Sequence, residues 1–295
     1  MPTNSIKNAL TVDVEDYFHV AAFANSIKRK DWKSYKPRVE QNTHRLLDIF
    51  SERGSRATFF VLGWVAERHP HLVREIAARG HEVACHGYSH ELVYQQTPEQ
   101  FRGETIRALK ILEDVSQVPI HGYRAASFSI TQKSLWALDI LAETGFIYDS
   151  SMFPIHHDRY GTPGALDAPH RLKTPGGYDL AEFPLSTIKV FRQRIPVSGG
   201  GYFRLYPYGF TRTALRHINK RMRRPFVFYL HPWEIDPGQP PITASWLSRF
   251  RHYNNLHKCE DRLRRLLMDF AFLTVTEVLT KLELLTMDRA HATQR

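Results

Sequence analysis

The chain has 295 residues, 42% of them hydrophobic, and a formal net charge of +10. That length allows one large domain or two small ones with a substantial core, and no apolar run is long enough to span a bilayer. Two cysteines, Cys85 and Cys259, exclude a disulfide framework and a cysteine-rich zinc site; no zinc-finger, helix-turn-helix or RNA-binding signature accompanies the basic charge, so nucleic acid is set aside as a partner.

The chain enters a strand at residues 9–14 with no apolar signal segment or small-residue cleavage site before it, and a cytoplasmic location is the resulting expectation. A helical apolar pattern over 43–52 (Leu46, Leu47, Ile49, Phe50) stops at Gly54. Residues 57–62 read as a strand, 65–79 as a helix stopping at Gly80, and 82–85 as a short strand that delivers His86. Thr97-Pro98-Glu99-Gln100 supplies an N-cap, a first-position proline and a capping-box Gln for a helix running to about 115. A strand leads to Arg124, Thr131 caps a helix ending at Gly145, and 146–148 form a strand delivering Asp149, Ser150 and Ser151. Pro154, Pro163, Pro169 and Pro175 mark 153–178 as a long irregular loop; His156, His157, Asp158 and Tyr160 suggest that it faces substrate, with a purely structural loop as the equal alternative. Strands follow at 180–183 and 226–230, with a basic helix over 208–222 between them. A basic amphipathic helix over 254–268, a strand at 272–275 and a last helix complete the chain, which frays at 291–295.

Repeated β-then-α order implies an α/β fold with a parallel sheet, open or closed into a barrel whose chemistry sits at the C-terminal strand ends. We read 1–295 as a single domain, with 153–178 as a loop insertion and 200–285 as a helical and strand extension. Basic clusters at 28–30, 221–224 and 262–265 read first as solvated faces; anionic lipid surfaces or anionic sugar carriers are the partners that fit such charge, which extends the location to the periphery of the inner membrane.

Polar clusters recur where the strands end: Thr11-Val12-Asp13-Val14-Glu15-Asp16, His86-Gly87-Tyr88-Ser89-His90 and Tyr229-Leu230-His231-Pro232-Trp233-Glu234. Carboxylates with a His-x-x-x-His pair can hold a divalent metal, and a further carboxylate and histidine can act as base and acid, the parts of a metal-assisted hydrolase. Clustered acids repel one another unless a cation or proton relieves them. Strand alternation places Asp13 and Glu15 on one face, whereas Asp16 joins them only if the strand ends and turns. Cys85 beside His86 reads as a small buried residue rather than a nucleophile. Ser198-Gly199-Gly200-Gly201-Tyr202 lacks the Lys-Ser/Thr of a phosphate loop, and that reading is rejected.

With these motifs, Gly122-Tyr123-Arg124-Ala125-Ala126-Ser127 and Leu230-His231-Pro232-Trp233 added, the chain resembles the polysaccharide deacetylase family, the NodB-homology carbohydrate esterases, over roughly residues 10–275. Asp-Val-Glu-Asp-Tyr-Phe at 13–18 and Gly-Gly-Gly-Tyr-Phe-Arg-Leu at 199–205 resemble its exosortase (PEP-CTERM) exopolysaccharide-associated branch. The resemblance implies a distorted (β/α) barrel of the NodB-homology type. It makes His86 and His90 metal ligands, Asp13 the general base, Arg124 the residue that orients it and His231 the general acid. The carboxylate ligand stays open between Glu15 and Asp16. Zinc suits such a site, and cobalt, nickel or iron would also fit. The implied reaction is hydrolysis of an N-acetyl group on a sugar of a bacterial exopolysaccharide or of its lipid-linked or nucleotide-linked precursor. A backbone N–H near Asp149-Ser150-Ser151 is expected to stabilise the oxyanion; Tyr160 and Trp233 are candidates for stacking on sugar rings, packing being the plainer role of Trp233. The acids are spread as Asp-x-Glu-Asp, and Ala125-Ala126 stand where members often carry proline. The alternatives are an allantoinase-like amidohydrolase on a small cyclic amide and a non-catalytic carbohydrate-binding protein.

Overall fold

The computed structural model describes residues 6–157, 160–191 and 193–285, so the expectations for the first five residues, for Asp158 and for 291–295 lie outside the described residues. The first half alternates strands and helices: β1 (Lys7–Val14), α1 (Val39–Ser51), β2 (Thr58–Val61), α2 (Gly63–Arg68), α3 (Pro70–Ala78), β3 (Glu82–Cys85), α4 (Pro98–Ser116), β4 (Gly122–Tyr123), α5 (Trp136–Glu143) and β5 (Tyr148–Asp149). The second half adds β6 (His170–Lys173), β7 (Asp179–Glu182), the antiparallel pair β8 (Thr187–Val190) and β9 (Gln193–Pro196), α6 (Gly200–Leu205), α7 (Tyr208–Lys220), β10 (Val227–Leu230), α8 (Trp246–Tyr253), α9 (Leu256–Asp269), β11 (Ala271–Leu273) and α10 (Val275–Lys281).

The main sheet runs β10-β1-β2-β3-β4-β5-β7-β6, with β11 on the first part of β1, and every pairing but β6 with β7 is parallel. Parallel strands buried on both faces need apolar side chains on each. On β1, Leu10, Val12 and Val14 pack outward under the helices, and Ala9 packs inward with Phe60, Ala84, Tyr148, Val227 and Tyr229. The sheet is curled, and irregular backbone bridges its open side. Val227 N–H donates to Ser186 Oγ (3.0 Å), Tyr229 N–H donates to the Ser198 carbonyl (2.7 Å), and Gly199 forms an isolated bridge with Tyr229. This is the distorted α/β barrel expected from the sequence.

The glycine run has its reason here. A Cβ on Gly199, at φ +128°, would lie 1.9 Å from the Tyr229 carbonyl oxygen, and one on Gly200 would strike the Tyr229 ring. Two more features follow the sequence closely. Thr97 Oγ1 accepts from Gln100 N–H (3.2 Å) while Gln100 Oε1 accepts from Thr97 N–H (2.9 Å), the reciprocal cap expected for α4. Cys85 is buried, and burial pushes its thiol up to about 12, so it is inert at neutral pH.

Other elements differ. The helix read over 65–79 is two helices, because Pro70 lacks an N–H and forces His69 out of helical geometry (φ −124°, ψ 55°). Thr131 opens a turn closed by Ser134 N–H, and the helix proper begins at Trp136. The stretch read as irregular from 153 to 178 contains β6. Within residues 200–285, β10 and β11 pair directly with β1.

Candidate active site

The C-terminal ends of β1, β3, β4 and β10 converge on one buried cluster. Beyond β1 the chain turns tightly, with Glu15 N–H donating to the Asp13 carbonyl at 3.0 Å, so both side chains stay inside the barrel. His86 follows β3 and donates from Nδ1 to the Arg124 carbonyl (2.8 Å), which leaves Nε2 free as a lone-pair donor. His90 reaches the same point from a left-handed backbone conformation, φ 52°.

Ligand atoms of Glu15, His86 and His90 all lie within 4.8 Å of one another. Glu15 Oε2 is 3.0 Å from His90 Nε2, yet this buried oxygen has no hydrogen-bond partner of acceptable geometry. A carboxylate and two imidazoles with an orphaned oxygen between them form the donor set of a divalent metal, so the residues fit one. Burial alone would raise the Glu15 carboxyl; the His90 and His231 imidazoles outweigh it and hold it well below the usual carboxylate range.

Asp16, the other candidate ligand, is not in this cluster. Its Oδ2 accepts from the N–H groups of Arg38 (2.6 Å) and Val39 (2.9 Å), and its Oδ1 accepts from Tyr17 N–H (2.9 Å). It caps the start of α1, where the local N-cap residue Arg38 offers no side-chain acceptor.

Asp13 borders the cluster. Its Oδ1 accepts from Arg124 Nη1 (2.7 Å), and its Oδ2 lies 4.0 Å from His231 Nε2. Arg124 is fully buried and otherwise spent on Thr11 Oγ1, the Ser150 carbonyl and Ser150 Oγ, with its guanidinium over the Phe60 ring at 4.1 Å. Ser150 is therefore a support for Arg124 and not a substrate contact.

Two expectations for this strand end are corrected. Ser150 N–H donates to the Tyr123 carbonyl and Ser151 N–H to Asp149 Oδ2, so neither is available to an oxyanion. Asp149 turns away from the cluster and holds Ser151 Oγ (2.6 Å) and Glu182. Burial, then the charge of Asp149, raises Glu182 far above the ordinary carboxyl range, so Glu182 keeps the proton of this buried pair.

His231 ends β10. Its Nδ1 bonds Glu234 Oε1 at 2.6 Å, and its Nε2 is 3.2 Å from Glu15 Oε1. Burial would lower this imidazole, but Glu15, then Glu234 and Asp13, hold it up to about 9, so it is protonated at neutral pH. Glu234 is gripped in turn by Arg204 Nε (2.7 Å), and Arg204 also donates to the carbonyls of Arg251, His252 and Asn254. This Arg204–Glu234 clamp was missed by sequence reasoning. Its signal was present in the Gly-Gly-Gly-Tyr-Phe-Arg-Leu segment and in the Glu three residues after His231.

A cavity of about 390 Å³ opens over Glu15, His90 and His231. Its walls include the aromatic residues Phe128, Tyr160, Tyr202, Tyr229, Trp233 and Phe250. Tyr160 lies on the wall as expected, with its ring already stacked on His157 (3.8 Å) and Phe153 (5.7 Å). Trp233 also reaches the wall, but it is sandwiched by His231 (5.1 Å) and His252 (4.2 Å), which makes packing its main role. Ser127 (φ 50°) and Phe128 (φ 55°), next to Arg124, form a left-handed turn in the same wall, a strained feature missed in the sequence.

Residues 31–146 match the family model described as Polysaccharide deacetylase, and residues 150–280 match one described as a domain of unknown function, DUF3473. A peptidoglycan-N-acetylglucosamine deacetylase of Bacillus cereus is 26% identical over 148 residues, 46% of this chain and 52% of the relative. A chitooligosaccharide deacetylase of Rhizobium leguminosarum bv. trifolii is 30% identical over 145 residues, 47% of this chain and 63% of the relative. The chain thus spans about half the length of the curated relatives it matches first. Among solved structures, one named as a polysaccharide deacetylase, from Mycobacterium smegmatis, superposes with a TM-score of 0.63 at 23% identity, covering 97% of this chain and 94% of that one. Puue allantoinase superposes with a TM-score of 0.61 at 16% identity, covering 95% and 91%. The fold is shared with both, and by sequence residues 31–146 group with the polysaccharide deacetylases.

Proposed function

We propose that this protein is a metal-dependent N-deacetylase acting on an N-acetylated sugar of a bacterial exopolysaccharide or of its precursor. One observation carries the reading. A carboxylate held by a buried arginine (Asp13–Arg124), a Glu-His-His ligand set (Glu15, His86, His90) and His231 meet in one buried cluster, of which Glu15, His90 and His231 line the cavity above it.

A divalent cation bound by Glu15, His86 and His90 would polarise the acetamide carbonyl and lower the pKa of a water; zinc suits the donors, with cobalt, nickel and iron as further fits. Asp13 takes the proton of the attacking water, and Arg124 fixes the carboxylate oxygen that does not receive it. The C–O bond forms, and the C–N bond breaks as His231 protonates the departing amine, releasing acetate. The loop that includes His157 and Tyr160 supplies part of the cavity wall, which favours a saccharide over a small cyclic amide in a short closed pocket.

The test is acetate release from N-acetylglucosamine oligomers. Activity that a chelator stops and divalent metal restores, and that Asp13→Asn abolishes, is the expected result. Metal-replete protein that releases no acetate from oligomers or from lipid-linked or nucleotide-linked N-acetylated sugars would overturn the proposal.

A further inference from the structure

α8 turns its apolar side the wrong way for a helix of a self-contained globule. Its buried residue is His252, whereas Trp246, Leu247 and Phe250 are 77, 47 and 44% exposed. At about 100° per residue these three fall within one stripe, Phe250 between the other two. The Trp246 and Phe250 rings stack on each other at 5.6 Å in solvent. Arg249 and Arg251, both exposed, flank the stripe on its two sides.

The stripe adjoins the catalytic cavity. Phe250, Arg251 and the 49% exposed Leu205 line that cavity, and Phe250, Trp246 and Arg249 line a second, shallower hollow on the outer side. Among the described residues lining the two hollows, the single carboxylate is Glu15 on the catalytic floor. An apolar aromatic stripe between arginines, free of exposed acid, on a chain of net charge +10, complements an anionic lipid surface.

We propose that α8 seats this protein on an anionic phospholipid bilayer, with Trp246, Leu247 and Phe250 in the acyl boundary and Arg249 and Arg251 at the headgroups. The mouth of the catalytic cavity then opens at the bilayer surface. Resting on the deacetylase reading, this selects a lipid-anchored N-acetylated saccharide, whose sugar enters the cavity while its apolar anchor remains in the membrane.

The test is co-sedimentation of the full chain with vesicles of phosphatidylcholine and phosphatidylglycerol, set against vesicles of phosphatidylcholine alone. The wild type is expected to sediment with the anionic vesicles and to be released by salt. Trp246→Ser/Leu247→Ser is expected to weaken binding roughly tenfold or more, and Arg249→Gln severalfold. Both variants keep their bound metal and the wild-type rate on water-soluble substrate, because none of these residues lines the catalytic cavity. Vesicle binding is read without substrate, so its failure is distinct from failure of the deacetylase reading. A wild type that stays in solution, or variants that sediment as well as it does, would overturn the proposal. So would a concentration-dependent dimer that Trp246→Ser/Leu247→Ser dissolves while vesicle binding is absent, since the stripe would then be a contact between copies.

Discussion

Asp13, Glu15 and Asp16 are neighbours in sequence with three different occupations, and their partners decide which. Arg124 orients Asp13, two histidines face Glu15, and three backbone N–H groups absorb Asp16. Alternation along β1 put Asp13 and Glu15 on one face, but β1 ends at Val14 and it is the tight turn after it that brings Glu15 to the cluster. Alternation was silent on Asp16, because the partners that claim it lie in a segment 22 residues further on. His231 shows the same dependence. Its place at a strand end was legible, but the Arg204–Glu234 grip behind it joins elements distant in sequence. Glu234→Gln is expected to lower kcat roughly 10- to 100-fold with metal content unchanged, since it removes the charge that holds His231 oriented and protonated. Arg204→Lys should do the same and also destabilise, because lysine cannot replace a fork that spans Glu234 and three carbonyls. Normal kcat in both variants would show that the clamp is structural alone.

The elements themselves divide by how they are held. β1, β2, β3, β10 and α4 were legible because apolar runs, glycine stops and a capping box are local signals. β6 was not, because its exposed positions alternate with half-buried ones in a proline-rich setting and its pairing with β7 is set by the fold. β4 and β5 are each two residues long and owe their strand geometry to their neighbours. The closure of the barrel depends on close backbone approach at Gly199. Gly199→Ala is expected to cost roughly 3 kcal/mol or more, from a forbidden φ and a clash with β10, read as a lower denaturant midpoint. A second element-scale prediction concerns the α3–β3 junction, where buried His81 Nδ1 accepts from Ala57 N–H (3.1 Å). Burial, then Arg79 and Arg56, push this imidazole from 6.5 down to about 4. The unfolded chain therefore takes up the proton first as pH falls. The contribution of His81 is whole above about 6.5 and lost progressively towards about 4, a range worth roughly 1–3 kcal/mol. His81→Asn keeps an acceptor without titrating, and its stability should fall less than that of wild type between those pH values. Parallel pH profiles would contradict this.

At the scale of the whole molecule, the site belongs to no single stretch of the chain. Asp13 and Glu15 precede the matched deacetylase region, His86, His90 and Arg124 lie within it, and Arg204, His231 and Glu234 come from the region matched as a domain of unknown function. That second region also supplies β10, which pairs with β1 and places His231 over Glu15. Sequence order does not reveal that a late strand returns to pair with the first one. The division of labour between metal ligands (Glu15, His86, His90) and proton carriers (Asp13, His231) is the central claim. It is tested most directly by measuring bound metal and acetate release together in wild type, Asp13→Asn, Glu15→Gln and Asp16→Asn. The account predicts metal with acetate release in wild type and metal without acetate release in Asp13→Asn. Glu15→Gln should lose metal, and Asp16→Asn should keep metal and be less stable. Metal retained at wild-type levels in Glu15→Gln but lost in Asp16→Asn, or acetate release undiminished in Asp13→Asn, would contradict it.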